Sequence, residues 1–197
     1  MNSYYLELIK SYKPADEEDR AVKKSLLQFI QRNQEDILTR ENAMAHLTAS
    51  TVIVNETFDK MLMIHHKIYD TWTWQGGHCD GEADLLKVAL KEAEEETGIR
   101  GFQVLEDAQG VIVRLDILPV RAHMKNGEPV PVHLHLNAAF LLQAREDEKL
   151  DLNEEETNAI RWVPFEEIDR LAEEPDITPI YHALIRRGLE AGISGLV

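Results

Sequence analysis

The chain of 197 residues carries 36 Asp and Glu against 21 Lys and Arg, a formal net charge of −15, with 44% hydrophobic content. That content supports one sizeable core, while so acidic a chain lacks the clustered cations on which duplex nucleic-acid binding depends. With no basic leader, no long apolar run and a single cysteine, Cys79, the expectation is a soluble cytoplasmic protein with no internal disulfide and no membrane span.

In chain order, residues 4–12 and 16–38 read as helices separated at Lys13-Pro14, the second opening at Asp16 and carrying Val22, Leu26, Phe29, Ile30 and Ile37 on one stripe. A lone amphipathic helix has little stability of its own, so this stripe calls for cover by the core or by a second copy in a homodimer. From about residue 46 the chain changes to short β-branched or aromatic runs, "TASTVIV", "KMLMIHH", "GFQVLED", "VIVRLDILPV", "PVHLHLNAAFLL" and "AIRWVPF", each bounded by turn residues. These read as strands. Between them, residues 85–97 form the one clear central helix, with Leu86, Ala89, Leu90, Ala93 and Thr97 as its buried stripe and Gly98 as its stop. One helix starts at Pro164-Phe165-Glu166-Glu167 and another runs from Thr178 as cap, with Pro179 in its first turn, to near Gly192. The class is α/β, with residues 1–42 as a helical extension packed on a core domain of residues 43–197.

The central helix carries an unusual charge load, "KEAEEETG", in a chain that is already acidic. At about 100° per residue, Glu92, Glu95 and Glu96 share a face, spaced i, i+3 and i+4, where like charges repel one another. Three hard oxygen donors so placed suit Mg²⁺ or Mn²⁺, which keep coordination positions open for substrate phosphates. Lys91, four residues before Glu95, can pair with it and hold its carboxylate in a coordinating rotamer. The Gly76-Gly77 pair before the helix allows close backbone approach, with a carbonyl, that of Gly76, as a further metal ligand. An acidic helical run is ordinarily a solvated face. Here a glycine loop, a matched lysine and an opposed apolar stripe occur together.

The segment from Gly77 to Ile99 resembles the signature of the Nudix hydrolases: glycine, five residues, glutamate, seven residues, arginine-glutamate, apolar, any, glutamate-glutamate, any, glycine, apolar. Lys91 stands where that signature has arginine, and Ala83 stands at the early glutamate position, with Glu82 one residue out of phase. The resemblance implies a Nudix-type α/β/α sandwich with a mixed sheet over about residues 46–175, and divalent-metal-dependent hydrolysis of a small-molecule diphosphate. It also implies Glu92, Glu95 and Glu96 as ligands, with a general base that is either a box glutamate or an acidic residue of the later "NEEE" run, Glu155 among them. The alternative on the same fold is a low-turnover protein that senses or binds a nucleotide ligand.

His133 and His135 alternate along a strand and so share one face, where they could meet substrate phosphate or a further metal. His78, beside the glycine pair, is a further substrate-binding candidate. Trp72 and Trp74 read as packing residues rather than as base-stacking ones.

Overall fold

The computed structural model describes residues 4–67, 70–106, 110–125, 127–153 and 157–191. Two parallel strands form its centre: β1 (Ala45–Val54) and β9 (His133–Gln143) run in register from Ala45 opposite Leu134 to Val54 opposite Gln143. Each outer edge of this pair is shared by two antiparallel partners. On β1, residues Thr48 to Thr51 take β4 (Gln75–His78), and Ile53 and Val54 take β2 (Lys60–His66). On β9, β6 (Arg114–Val120) and then β5 (Gln103–Leu105) fill the edge. β3 (Thr71–Thr73) and β10 (Thr157–Pro164) extend the sheet from β2, and β7 (His123–Lys125) with β8 (Glu128–Val130) forms a separate hairpin.

Strand alternation divides the apolar residues between two faces. Ala45, Leu47, Ala49, Leu136, Ala138 and Phe140 pack with Leu85, Val88 and Ala89 of α3 (Leu85–Thr97). The same cluster takes in Tyr5 and Ile9 from α1 (Tyr4–Ser11) and Leu26 and Ile30 from α2 (Glu17–Arg32). On the opposite face Val52, Val54, Ala139 and Leu141 meet Ile180, Tyr181, Leu184 and Ile185 of α5 (Thr178–Glu190). The mixed sheet between helical layers is the sandwich expected, and the N-terminal helices pack onto it.

Polar contacts tie those helices down as well. Tyr12 donates to Asp19 (2.5 Å), Arg187 of α5 donates to the Tyr12 hydroxyl (2.8 Å), and Arg40 forms a two-pronged pair with Asp80 (2.9 and 2.8 Å).

Three local expectations change. α2 ends at Arg32 rather than near residue 38, because Asn33 Nδ2 donates to the Phe29 carbonyl (2.8 Å) and competes with helix continuation. Ile37 is still fully buried, delivered by the following turn, and its carbonyl accepts from Leu47 N–H (2.8 Å). The helix read at residue 164 is a 3₁₀ turn over Phe165–Glu167 followed by a short α4 (Ile168–Leu171). Thr178 begins α5 without capping it, since its hydroxyl donates backwards to the Glu174 carbonyl (3.0 Å).

The stop at Gly98 is as expected, with φ of 74° in the left-handed region and its N–H donated to the Glu94 carbonyl. A Cβ there would also lie 2.4 Å from Asp151 Cβ. Gly98→Ala is therefore expected to cost about 2 kcal/mol or more in unfolding free energy, the left-handed penalty plus crowding, and a urea titration measures it.

Glu174 offers a pH handle. Burial pushes its carboxyl above the usual range against a hydrogen bond from Thr73, and its Oε2 is buried without a partner among the described residues. A folded-state pKa above the unfolded one means that stability is lost as pH rises through the folded value. Glu174→Gln should accordingly be more stable than the parent at pH 7.5, and thermal melts should show that gap closing towards pH 4.

Candidate functional site

α3 is capped at its start by Asp84, whose carboxylate accepts from Lys87 N–H (3.1 Å). Its buried face runs Leu85, Val88, Ala89, Ala93, Glu96, Thr97, whereas Leu86 and Leu90 are only half-buried. The stripe is thus rotated from the one read in the sequence, and that rotation carries Glu92 and Glu96 towards the sheet. β4 explains why charged side chains fit there: its two glycines leave the space that side chains would otherwise fill. Glu96, only 4% exposed, accepts through Oε2 from Gly76 N–H (3.0 Å). The Glu92 carboxylate lies against Gly77, so closely that a Cβ on that glycine would sit 2.4 Å from it.

Glu95 faces outward and pairs with Lys91 at 2.7 Å, while the same ammonium stands 3.4 Å from Glu92. Hydrogen bonding to Glu95, against a smaller opposing effect of burial, raises the Lys91 pKa. The cation thus bridges two of the three carboxylates. Glu94 is exposed, as its helical position implies.

The out-of-phase Glu82 has its own local work. One of its carboxylate oxygens accepts from Ala83 N–H (2.8 Å) and Asp84 N–H (3.1 Å), and the other pairs with Lys87. Ala83 is buried in the core. Cys79 is buried too, and burial, with the acidic neighbours Asp80, Glu82 and Glu92 pushing the same way, raises its thiol to about 12. Such a thiol is no nucleophile at neutral pH.

Glu155 lies outside the described residues. Trp74 is buried against Tyr181, its ring centroid 5.3 Å away, as a packing residue should be. Trp72 is half-buried beneath Arg161, whose guanidinium stands 4.6 Å from the ring.

Four of the eight histidines gather on the sheet face away from α3. His133 and His135 share that face of β9, His78 ends β4, and His46, opposite His135 in the β1–β9 register, joins them. Ring centroids of the four lie between 4.8 and 5.2 Å apart in the pairs that touch. Burial, reinforced by the other three imidazoles, drives the His135 pKa down to about 2, and burial lowers that of His46. The polar row continues inward, where Asn137 Oδ1 accepts from the hydroxyls of Thr48 (3.0 Å) and Ser50 (2.9 Å). Sequence reading missed His46, because nothing local links it to a strand 89 residues later. No helix among the described residues is long and apolar enough to cross a membrane.

A model of the NUDIX domain matches residues 44–184. A probable DHNTP pyrophosphohydrolase of Lactococcus lactis is 23% identical over 148 residues, covering 75% of this chain and 82% of that protein. Among solved structures, the E. coli dihydroneopterin triphosphate pyrophosphohydrolase superposes with a TM-score of 0.57 at 17% identity, covering 74% of this chain and 96% of that one. A C. elegans Ap4A hydrolase binary complex gives 0.52 at 19% identity, with 75% and 96% covered. At these identities the structures establish a shared fold.

Proposed function

This chain belongs to the Nudix family, and from that membership we propose that residues 43–197 hydrolyse a diphosphate linkage in a small nucleoside-diphosphate-like or related organic pyrophosphate, using Mg²⁺ or Mn²⁺. The observation that carries the reading is the buried Glu96 carboxylate on Gly76 N–H, with Glu92 seated against Gly77 on the adjoining turn.

The donor set suits the ion. Glu92, Glu95 and Glu96 would supply carboxylate oxygens and the Gly76 carbonyl a further one, and the Lys91 ammonium stands between two of the carboxylates as a cation can. When bound, the ion neutralises diphosphate charge and lowers the pKa of an attacking water. The chain's own residues do the rest. Gly76 N–H fixes one oxygen of Glu96, and Lys91 sets the rotamer of Glu95. Of Glu92, Glu95 and Glu96 the exposed one is Glu95, and on this proposal it would accept the water's proton. Residues 1–42 form a packed extension that braces this unit through Tyr12, Asp19 and Arg187.

Substrate choice in a shared fold lies in sites rather than in the fold. The panel to assay therefore includes dihydroneopterin triphosphate and Ap4A, taken from the names of the relatives, with nucleoside triphosphates, nucleotide sugars and ADP-ribose. Metal-dependent multiple turnover on one class supports the proposal. A second reading, a low-turnover nucleotide sensor, rests on Ala83 in the core and Glu82 committed to the α3 cap. Tight nucleotide binding without turnover would favour that one.

A further inference from the structure

We propose that His46, His78, His133 and His135 form a closed four-imidazole site for a divalent transition-metal ion of the Zn²⁺ class, separate from the glutamates of α3. One ligand atom from each of the four lies within 4.8 Å of all the others, and among the described residues this is the one such group of His, Cys, Asp and Glu. Zn–N bonds of about 2.0–2.1 Å put neighbouring tetrahedral ligands about 3.3–3.4 Å apart. Nε2 of His133 and Nε2 of His135 already stand 3.3 Å apart.

Outer partners orient the rings in the way metal-bound imidazoles are commonly oriented. His46 Nδ1 lies 3.1 Å from the Asn42 carbonyl and His133 Nδ1 2.9 Å from the Pro131 carbonyl, so each ring that donates there turns a bare Nε2 inward. His46 is only 4% exposed, and its Nε2 is buried with no hydrogen-bond partner among the described residues. Leaving such an atom unsatisfied is costly, and a bound ion would remove that cost.

The nearest positive charge, Arg40, acts against a cation here, and its two-pronged pair with Asp80 offsets part of that effect.

Ligand softness separates the two sites: imidazoles suit Zn²⁺, Ni²⁺ or Co²⁺, whereas Mg²⁺ and Mn²⁺ prefer the carboxylates. Four protein ligands leave no open position, so the role is structural. The ion would clamp β1, β4 and β9 side by side where β4 leads into the box loop.

The test uses full-length protein stripped with a chelator and titrated with Co²⁺ and then Zn²⁺. The expected result is an intense visible spectrum of tetrahedral nitrogen-bound Co²⁺, displaced by about one equivalent of Zn²⁺, with a melting temperature that rises on Zn²⁺ addition. His46→Gln and His135→Gln should each weaken Zn²⁺ binding more than about tenfold, the least that loss of even an outer partner costs. Glu96→Gln should leave it unchanged. A weak octahedral Co²⁺ spectrum, or Zn²⁺ binding lost in Glu96→Gln and kept in the histidine variants, overturns the proposal. Should the histidine variants fail to fold, the parent spectrum decides alone.

Discussion

Glu96→Gln is expected to lower kcat by about 10²–10⁴-fold while the folded state persists. Gln keeps the shape and an acceptor oxygen for Gly76 N–H, so the buried contact of 3.0 Å survives. What is lost is the negative charge at the most deeply buried of the three carboxylates, the one held by Gly76 N–H. Circular dichroism and a thermal melt should be close to those of the parent, and Mn²⁺ affinity should fall with activity. Full metal-dependent turnover in this variant would remove Glu96, and with it the proposed hydrolytic centre, from consideration. The zinc prediction would stand regardless, because it concerns the other face of the sheet.

The two adjacent glycines should part company when each gains a methyl group. In Gly77→Ala the new Cβ would lie 2.4 Å from the Glu92 carboxylate, the far end of a flexible side chain. Glu92 can swing aside, so stability should change by less than about 1 kcal/mol, whereas displacement of a ligand by an ångström or so should cost activity about 10- to 100-fold. In Gly76→Ala the Cβ would lie 2.8 Å from the Ala49 carbonyl oxygen and 2.8 Å from Ser50 Cα, which belong to the backbone of the central strand. That strand cannot move alone, and the expected cost is about 1–3 kcal/mol of folding free energy. Urea unfolding and steady-state kinetics on both variants separate the effects. Equal stability losses in the pair would mean that Glu92 is not where the loss of activity originates.

Much of the fold was legible because its signals are local. The shared face of His133 and His135 on their strand, the Gly98 stop and the Lys91–Glu95 pair each depend on a few neighbouring residues, and each is found as read. Misreadings arose where a competing contact decided. Asn33 ended α2 early by capturing a carbonyl, and Thr178 spent its hydroxyl backwards on Glu174 instead of capping α5.

The exposure of the box glutamates was not legible. Helical spacing places Glu92, Glu95 and Glu96 near one another, but it is the packing angle of α3 on β4 that buries Glu96 and leaves Glu95 in solvent.

By itself the sequence determined that three carboxylates and a lysine lie close together on one helix, because the 3.6-residue repeat is a property of the backbone. It likewise determined that a glycine pair precedes that helix. Only the tertiary structure decided that the glycines lie beneath Glu92 and Glu96, and that His46 meets His78, His133 and His135. Those meetings depend on the register of β1 against β4 and β9, and strand register is set by which faces the whole chain can bury together.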